Sequence, residues 1–199
     1  MKQLIIGCGT GRCGTMSLAK LLQQQCNTYA EHESKPLLPY KWNRNAVNAK
    51  IDFFRAKDID IVADVCSSYI TYVPYLIQKC DARVICLERD ADEVVQSFLD
   101  KTIGRDHWII KETYDQWDMI FPKFTQAETK PQAIYMYCLE YRKKSMAYQT
   151  AYPDKFKIFD MQDLNTEQGV SDMLEWLGYD EKHRNIITEI KENKTKGRD

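Results

Sequence analysis

Gly9, Gly11 and Gly14 are spaced G-x-G-x-x-G, enclose Arg12 and Cys13, and lead directly into the hydroxyl-bearing Thr15 and Ser17. Glycines let a backbone turn sharply and approach a ligand closely. The N–H groups that open a new helix then point at negative charge. Residues of these types in this order suit a phosphate or sulfate ester. A second set, Arg89 and Ser97, lies eight residues apart. A guanidinium grips a phosphate through a charge-assisted fork, and a serine hydroxyl adds one more donor. A third set, A-E-H-E from Ala30 to Glu33, offers carboxylates and an imidazole that can accept a proton.

Each set sits where a strand gives way to a loop or a helix. Gln3 to Gly7 reads as a short buried strand, and Leu18, Leu21 and Leu22 behind the glycines have helical spacing. Asn27 to Glu31 reads as an edge strand, Asn43 to Lys57 as a helix with Val47, Ile51 and Phe54 on one face, and Asp60 to Val65 as a buried strand. Tyr72 to Lys79 forms a helix starting near Pro74, Arg83 to Glu88 a strand, and Asp90 to Leu99 a helix opened by an Asp90–Glu93 capping box. Gln132 to Tyr152 is a long aromatic-rich helix whose aromatics read first as core, though one face could stack on a ring of a ligand, and Phe156 to Phe159 is the last strand. Thr166 to Leu177 is a helix stopped by Gly178; a C-terminal helix follows, with a mobile K-E-N-K-T-K-G-R-D end. Strands alternating with helices predict an α/β fold, a parallel sheet covered by helices on both faces.

Three kinds of loop share the glycine pattern. A nucleotide-triphosphate loop needs Gly, four residues, Gly, then Lys and Ser or Thr. Here Thr15 and Met16 follow Gly14, so the lysine that grips the β- and γ-phosphates is missing. A dinucleotide fingerprint is matched literally, and its acid, about twenty residues on, would be Glu31 or Glu33. The third loop accounts for more residues. R-C-G-T-M-S-L, Arg12 to Leu18, resembles the 5′-phosphosulfate-binding loop of the sulfotransferases that use 3′-phosphoadenosine 5′-phosphosulfate (PAPS), with Met16 departing from the usual hydroxyl residue. The Arg89–Ser97 pair, on a strand-to-helix junction, resembles that family's 3′-phosphate motif at its spacing. Y-V-P-Y-L, from Tyr72, and D-L-N-T-E-Q-G-V-S-D-M-L-E-W-L-G, from Asp163, extend the likeness more loosely.

That resemblance implies a P-loop nucleotide-kinase-like sulfotransferase fold and transfer of a sulfuryl group from PAPS to an acceptor hydroxyl or amine, leaving adenosine 3′,5′-bisphosphate. Gly11, Arg12, Cys13, Gly14, Thr15, Met16 and Ser17 would hold the phosphosulfate, and Arg89 and Ser97 the 3′-phosphate. Arg12 stands where the family has its catalytic Lys or Arg, and would meet charge on the departing phosphate as an electrostatic clamp. No metal is expected. Some relatives carry a base Glu after the second strand, at about the separation of Glu33 from Arg12; His32 is the alternative base. Relatives acting on small molecules use a His after the third strand, and the matching place here is near Ser67. Asp64, Ser67 and Ser68 could line the pocket or simply end a strand. Cys13 sits where a helix N-terminus would stabilise a thiolate, yet reads as the small residue of the loop. The stretch 103–130, with His107, Trp108, Trp117, Phe121, Pro122 and Phe124, is either an acceptor-site insertion or an aromatic cluster beneath a long loop.

Composition narrows the partners. The 199 residues, 44% hydrophobic and 29% charged, read as one globular domain, 1–199. A net charge of −1 provides no field for nucleic acid or an anionic membrane surface. No apolar run approaches the roughly 20 residues of a membrane span, and the N-terminal segment does not read as a signal peptide. Seven scattered cysteines without a C-x-x-C argue against zinc and for the reducing cytoplasm. The expected acceptor is a small molecule, carbohydrate or lipid, and the expected state a monomer or homodimer. Two other readings stand beside this one: an NAD(P)-binding oxidoreductase, and a nucleotide-binding module that has lost catalysis.

Overall fold

The structure, a computed structural model, describes residues 2–104, 107–109 and 116–188. Five strands, β1 (Gln3–Gly9), β2 (Thr28–His32), β3 (Ile61–Val65), β4 (Arg83–Glu88) and β5 (Phe156–Asp160), form one sheet in the order β2-β3-β1-β4-β5. Every pairing is parallel; Ile5 lies opposite Ala63 on β3 and Arg83 on β4. The helices are α1 (Thr15–Gln23), α2 (Arg44–Arg55), α3 (Val73–Cys80), α4 (Ala91–Lys101), α5 (Lys130–Ala151) and α6 (Glu167–Leu177).

Side-chain alternation on the strands supplies two cores. Leu4, Ile6 and Cys8 of β1, with Val84 and Cys86 of β4, pack under α2, α3, α4 and α5. Ile5, with Ala63, Val65, Ile85 and Leu87, packs under α1 and α6, through residues such as Leu18, Leu22, Val170 and Leu174. A parallel strand buried on both faces must be apolar throughout, hence the unbroken Leu4–Ile6 run. The sheet is thus the predicted one, flanked by helices on both faces, and β2 lies at its edge as expected.

Parallel strands bring all their C-terminal ends to one rim. The chain leaves β1 through α1 toward β2 on one side, and leaves β4 through α4 toward β5 on the other. Adjacent strands whose connections diverge open a crevice between their ends, the place where α/β sheets bind ligands. Residues 10–14 and Arg89 meet in that crevice.

Three local expectations change. Asp90 caps α4 by accepting from the Asp92 and Glu93 amides, but the Glu93 side chain does not complete a capping box, because it pairs with Arg89. Beyond Gly178 the described residues form a short 3-10 turn, Glu181–His183, and 184–188 are not helical; the rest of the expected C-terminal helix and the expected mobile end lie outside the described residues. Within 103–130 the described aromatics join the main core: Trp108 is fully buried, its ring 5.2 Å from Phe98 and 5.4 Å from Tyr137.

Candidate active site

The loop after β1 turns left-handed at Gly11 (φ 77°), Arg12 (φ 57°) and Gly14 (φ 83°). A non-glycine residue there is strained, and such strain gathers at ligand clamps. At Gly14 any side chain would meet a second obstacle, since a Cβ would lie 2.9 Å from Met161 Cγ. Gly14 caps α1 without a side-chain hydrogen bond, so the first turn of α1 presents its amides unmasked by a capping group. Thr15, Met16 and Ser17 form that turn.

Two tyrosines of α5 fix the loop from behind. Tyr137 Oη donates to the Thr10 carbonyl at 2.9 Å. Tyr141 Oη accepts from the Gly9 amide at 2.8 Å and donates to the Ser67 carbonyl at 3.0 Å. Both are buried, so these bonds are shielded from water. From sequence these tyrosines read first as core, and the spacing of four between Tyr137 and Tyr141 is the sign that the two share one face.

Arg12, Arg89 and Ser97 come together. Arg12 Nε donates to Ser97 Oγ at 3.0 Å, and Arg89 donates from one terminal nitrogen to the Arg12 carbonyl at 2.8 Å. Arg89 Nε also pairs with Glu93 at 2.8 Å. Burial first, and the neighbouring Arg89 charge second, lower the Arg12 pKa; Asp100 opposes them. Two guanidiniums held this close repel each other, which an anion between them would relieve. Beside them, between α5 and the start of α4, lies a cleft of about 400 Å³ lined by Thr10, Arg89, Asp90, Tyr135, Cys138 and Leu139.

His32, the last residue of β2, and Glu33 after it have no described contact with Arg12, Arg89 or Ser97. His32 Nε2 is 3.2 Å from Thr15 Oγ1, which ties the imidazole to the glycine loop. Glu33 follows with φ 55°, its amide donating to the Val65 carbonyl at 3.0 Å. Among the described contacts none joins Glu33 to Arg12. Asp64 does not line an open pocket: it is 1% exposed and paired with Lys50. Cys13 is no thiolate, because burial pushes its thiol up to about 11 despite the helix N-terminus.

Strand order counts against the dinucleotide reading. A dinucleotide fold has its acidic residue on the strand beside β1. Here β3 intervenes, so Glu31 and Glu33 lie two strands from β1, on the order of 10 Å across the sheet. Among the described residues, no group of three His, Cys, Asp or Glu is placed to hold a metal, and no helix is long and apolar enough to cross a membrane.

A sequence profile of the sulfotransferase domain matches residues 4–161. The chain therefore belongs to the sulfotransferase-domain family. Comparison with curated proteins finds no match. Among solved structures, mouse sulfotransferase SULT7A1, complexed with PAP, is similar, with a TM-score of 0.56 at 10% sequence identity. The match covers 90% of this chain, which spans 60% of that protein's length; at this identity the likeness is one of fold.

Proposed function

We propose that the chain is a sulfotransferase that draws its sulfuryl group from PAPS and passes it to an acceptor hydroxyl or amine. The observation that carries this is the Arg12–Ser97–Arg89 cluster: two cations and a hydroxyl gathered in the crevice beside uncapped helix amides. Residues 11–17 would hold the 5′-phosphosulfate with loop and helix amides, and Arg89 with Ser97 the 3′-phosphate. The neighbouring cleft has Tyr135 and Leu139 as apolar walls for the adenosine. The PAP bound to the mouse relative supports the same nucleotide class.

Arg12 would offset charge building on the departing phosphate. Glu33, at the rim end of β2, would take the acceptor's proton. His32 is bound to Thr15 and would orient that hydroxyl, which leaves Glu33 the better base. The acceptor would be a small molecule, carbohydrate or lipid. Residues 1–199 would act as one domain, with 103–130 bordering the acceptor side. Seven free thiols support a reducing compartment such as the cytoplasm.

The test is Glu33→Gln, assayed with labelled PAPS against a panel of phenols, sugars, sterols and amines. Turnover should fall by roughly 10²–10⁴, the usual worth of general base catalysis, with affinity for adenosine 3′,5′-bisphosphate unchanged. Undiminished turnover would move the base elsewhere. A wild type that transfers to nothing in the panel would favour a non-catalytic nucleotide-binding module.

A further inference from the structure

The most deeply buried ion pair in the described structure has no part in the nucleotide site. Lys50, on α2, and Asp64, on β3, are each 1% exposed and pair at 2.9 Å. Ser34, itself buried, bridges them. Its Oγ accepts from Lys50 Nζ at 2.6 Å and donates to Asp64 Oδ2 at 2.7 Å. The Ser34 amide donates to Asp64 Oδ1 at 3.2 Å, and its carbonyl accepts from Lys50. Tyr69 Oη completes the carboxylate at 2.5 Å, with the Val65 amide at 3.0 Å. Lys50 thus gives two hydrogen bonds to Ser34 and an ion pair to Asp64, and Asp64 accepts four further hydrogen bonds.

An ion pair this dry costs several kcal/mol per ion to desolvate, and well-packed apolar residues often serve stability as well or better. Such a network is better understood by what it holds, and it holds one short piece of backbone. Every polar group of Ser34, amide, carbonyl and hydroxyl, is engaged by the pair. The preceding residue is Glu33, strained at φ 55° and bonded through its amide to Val65, the residue after Asp64. The direction of the Glu33 side chain depends on that left-handed turn, and nothing in the sequence of the turn favours it.

We infer that the Lys50–Asp64 pair, acting through Ser34, is a positioning device that sets the aim of the Glu33 carboxylate. The inference rests on the reading of Glu33 as base. It divides the rim in two. The donor half stands on the loop after β1, the first turn of α1, Arg89 and α4; the acceptor half is locked to β2 and β3 by groups with no described contact to the residues assigned to the nucleotide. Loosening the lock should therefore cost turnover and leave nucleotide affinity alone.

The experiment is a double-mutant cycle. Ser34→Ala and Lys50→Met are each made in the wild type and in Glu33→Gln. Turnover is measured with the acceptor that the panel above identifies, and affinity with adenosine 3′,5′-bisphosphate. A catalytic group displaced by about 1 Å can cost as much as 10²-fold. The expected fall in kcat is about 10-fold for Ser34→Ala and about 100-fold for Lys50→Met, with bisphosphate affinity within about 3-fold of wild type. In the Glu33→Gln background neither should cost more than about 3-fold further, because the carboxylate they aim is gone. Should Lys50→Met fail to fold, Ser34→Ala carries the test, since it removes one hydroxyl and leaves the ion pair. Equal losses in both backgrounds, an unchanged kcat, or an equal loss of bisphosphate affinity overturns the inference. Full turnover in Glu33→Gln, or no transfer by the wild type, overturns instead the assignment of the base beneath it.

Discussion

Arg89→Ala removes the exposed pair with Glu93 and two interactions that bear on the ligand, whose sizes can be worked separately. One is the hydrogen bond to the Arg12 carbonyl, 2.8 Å long and neutral at its acceptor, which shapes the glycine loop. Its loss is worth about 0.5–1.5 kcal/mol and should weaken any ligand that uses the loop. The other is the charge-assisted bond to a 3′-phosphate, worth about 1.5–3 kcal/mol, felt only by ligands that carry one. Adenosine 5′-monophosphate should then lose about 2- to 10-fold in affinity, and adenosine 3′,5′-bisphosphate about 30- to 2000-fold. Titration calorimetry of both ligands at one fixed ionic strength measures the ratio, since charge contacts weaken with salt. Equal losses for the two nucleotides would refute the assignment of Arg89 to the 3′-phosphate, and a loss confined to the monophosphate would refute its place in the crevice.

Three further outcomes follow from the same geometry. Glu93→Gln removes a half-exposed carboxylate that pairs with Arg89 at 2.8 Å; such pairs are worth up to about 1 kcal/mol, so bisphosphate affinity should rise by as much as about 5-fold, and a fall would contradict the competition. Gly14→Ala places a side chain at φ 83° against Met161, costing about 1–2 kcal/mol for the left-handed turn alone; the thermal midpoint should drop by roughly 2–8 °C in a melt, and an unchanged midpoint counts against the turn. Burial raises the Cys13 and Cys66 thiols from 9.0 to about 11, so above pH 9 the unfolded chain releases protons first. Stability is therefore complete below pH 9 and falls as pH climbs through 11, by up to about 1.4 kcal/mol per thiol per pH unit, and a urea midpoint flat across that window would contradict the burial.

What could be read from the residues follows from range. The glycine loop, Arg89 and Ser97 each announce themselves through local spacing, and a parallel sheet follows from alternating strands and helices. Their meeting depends on β1 and β4 being neighbours, which the alternation of elements does not specify. Tyr137 and Tyr141 look like two core aromatics of a long helix, and only the sheet brings their hydroxyls to Thr10 and Gly9. Lys50 falls on the helix face of Val47, Ile51 and Phe54, but its partners are not legible, because Asp64 is fourteen residues away and Ser34 lies across a loop. The capping box at Asp90 failed for a related reason: Glu93 had a competing partner in Arg89, the very residue that marks the site. Cys13 reads as the small residue of the loop, and its complete burial, which outweighs the helix N-terminus, agrees with that.

The central claim is that the crevice between β1 and β4 is built for a nucleotide with phosphates at both the 3′ and 5′ positions. Titration calorimetry of the purified chain with adenosine 3′,5′-bisphosphate, ATP and NAD, at one salt concentration, tests it without needing an acceptor. The bisphosphate should bind more tightly than either rival by about 10-fold or more, the worth of one charge-assisted contact that only it makes at Arg89. NAD or ATP binding as tightly as the bisphosphate would contradict the account.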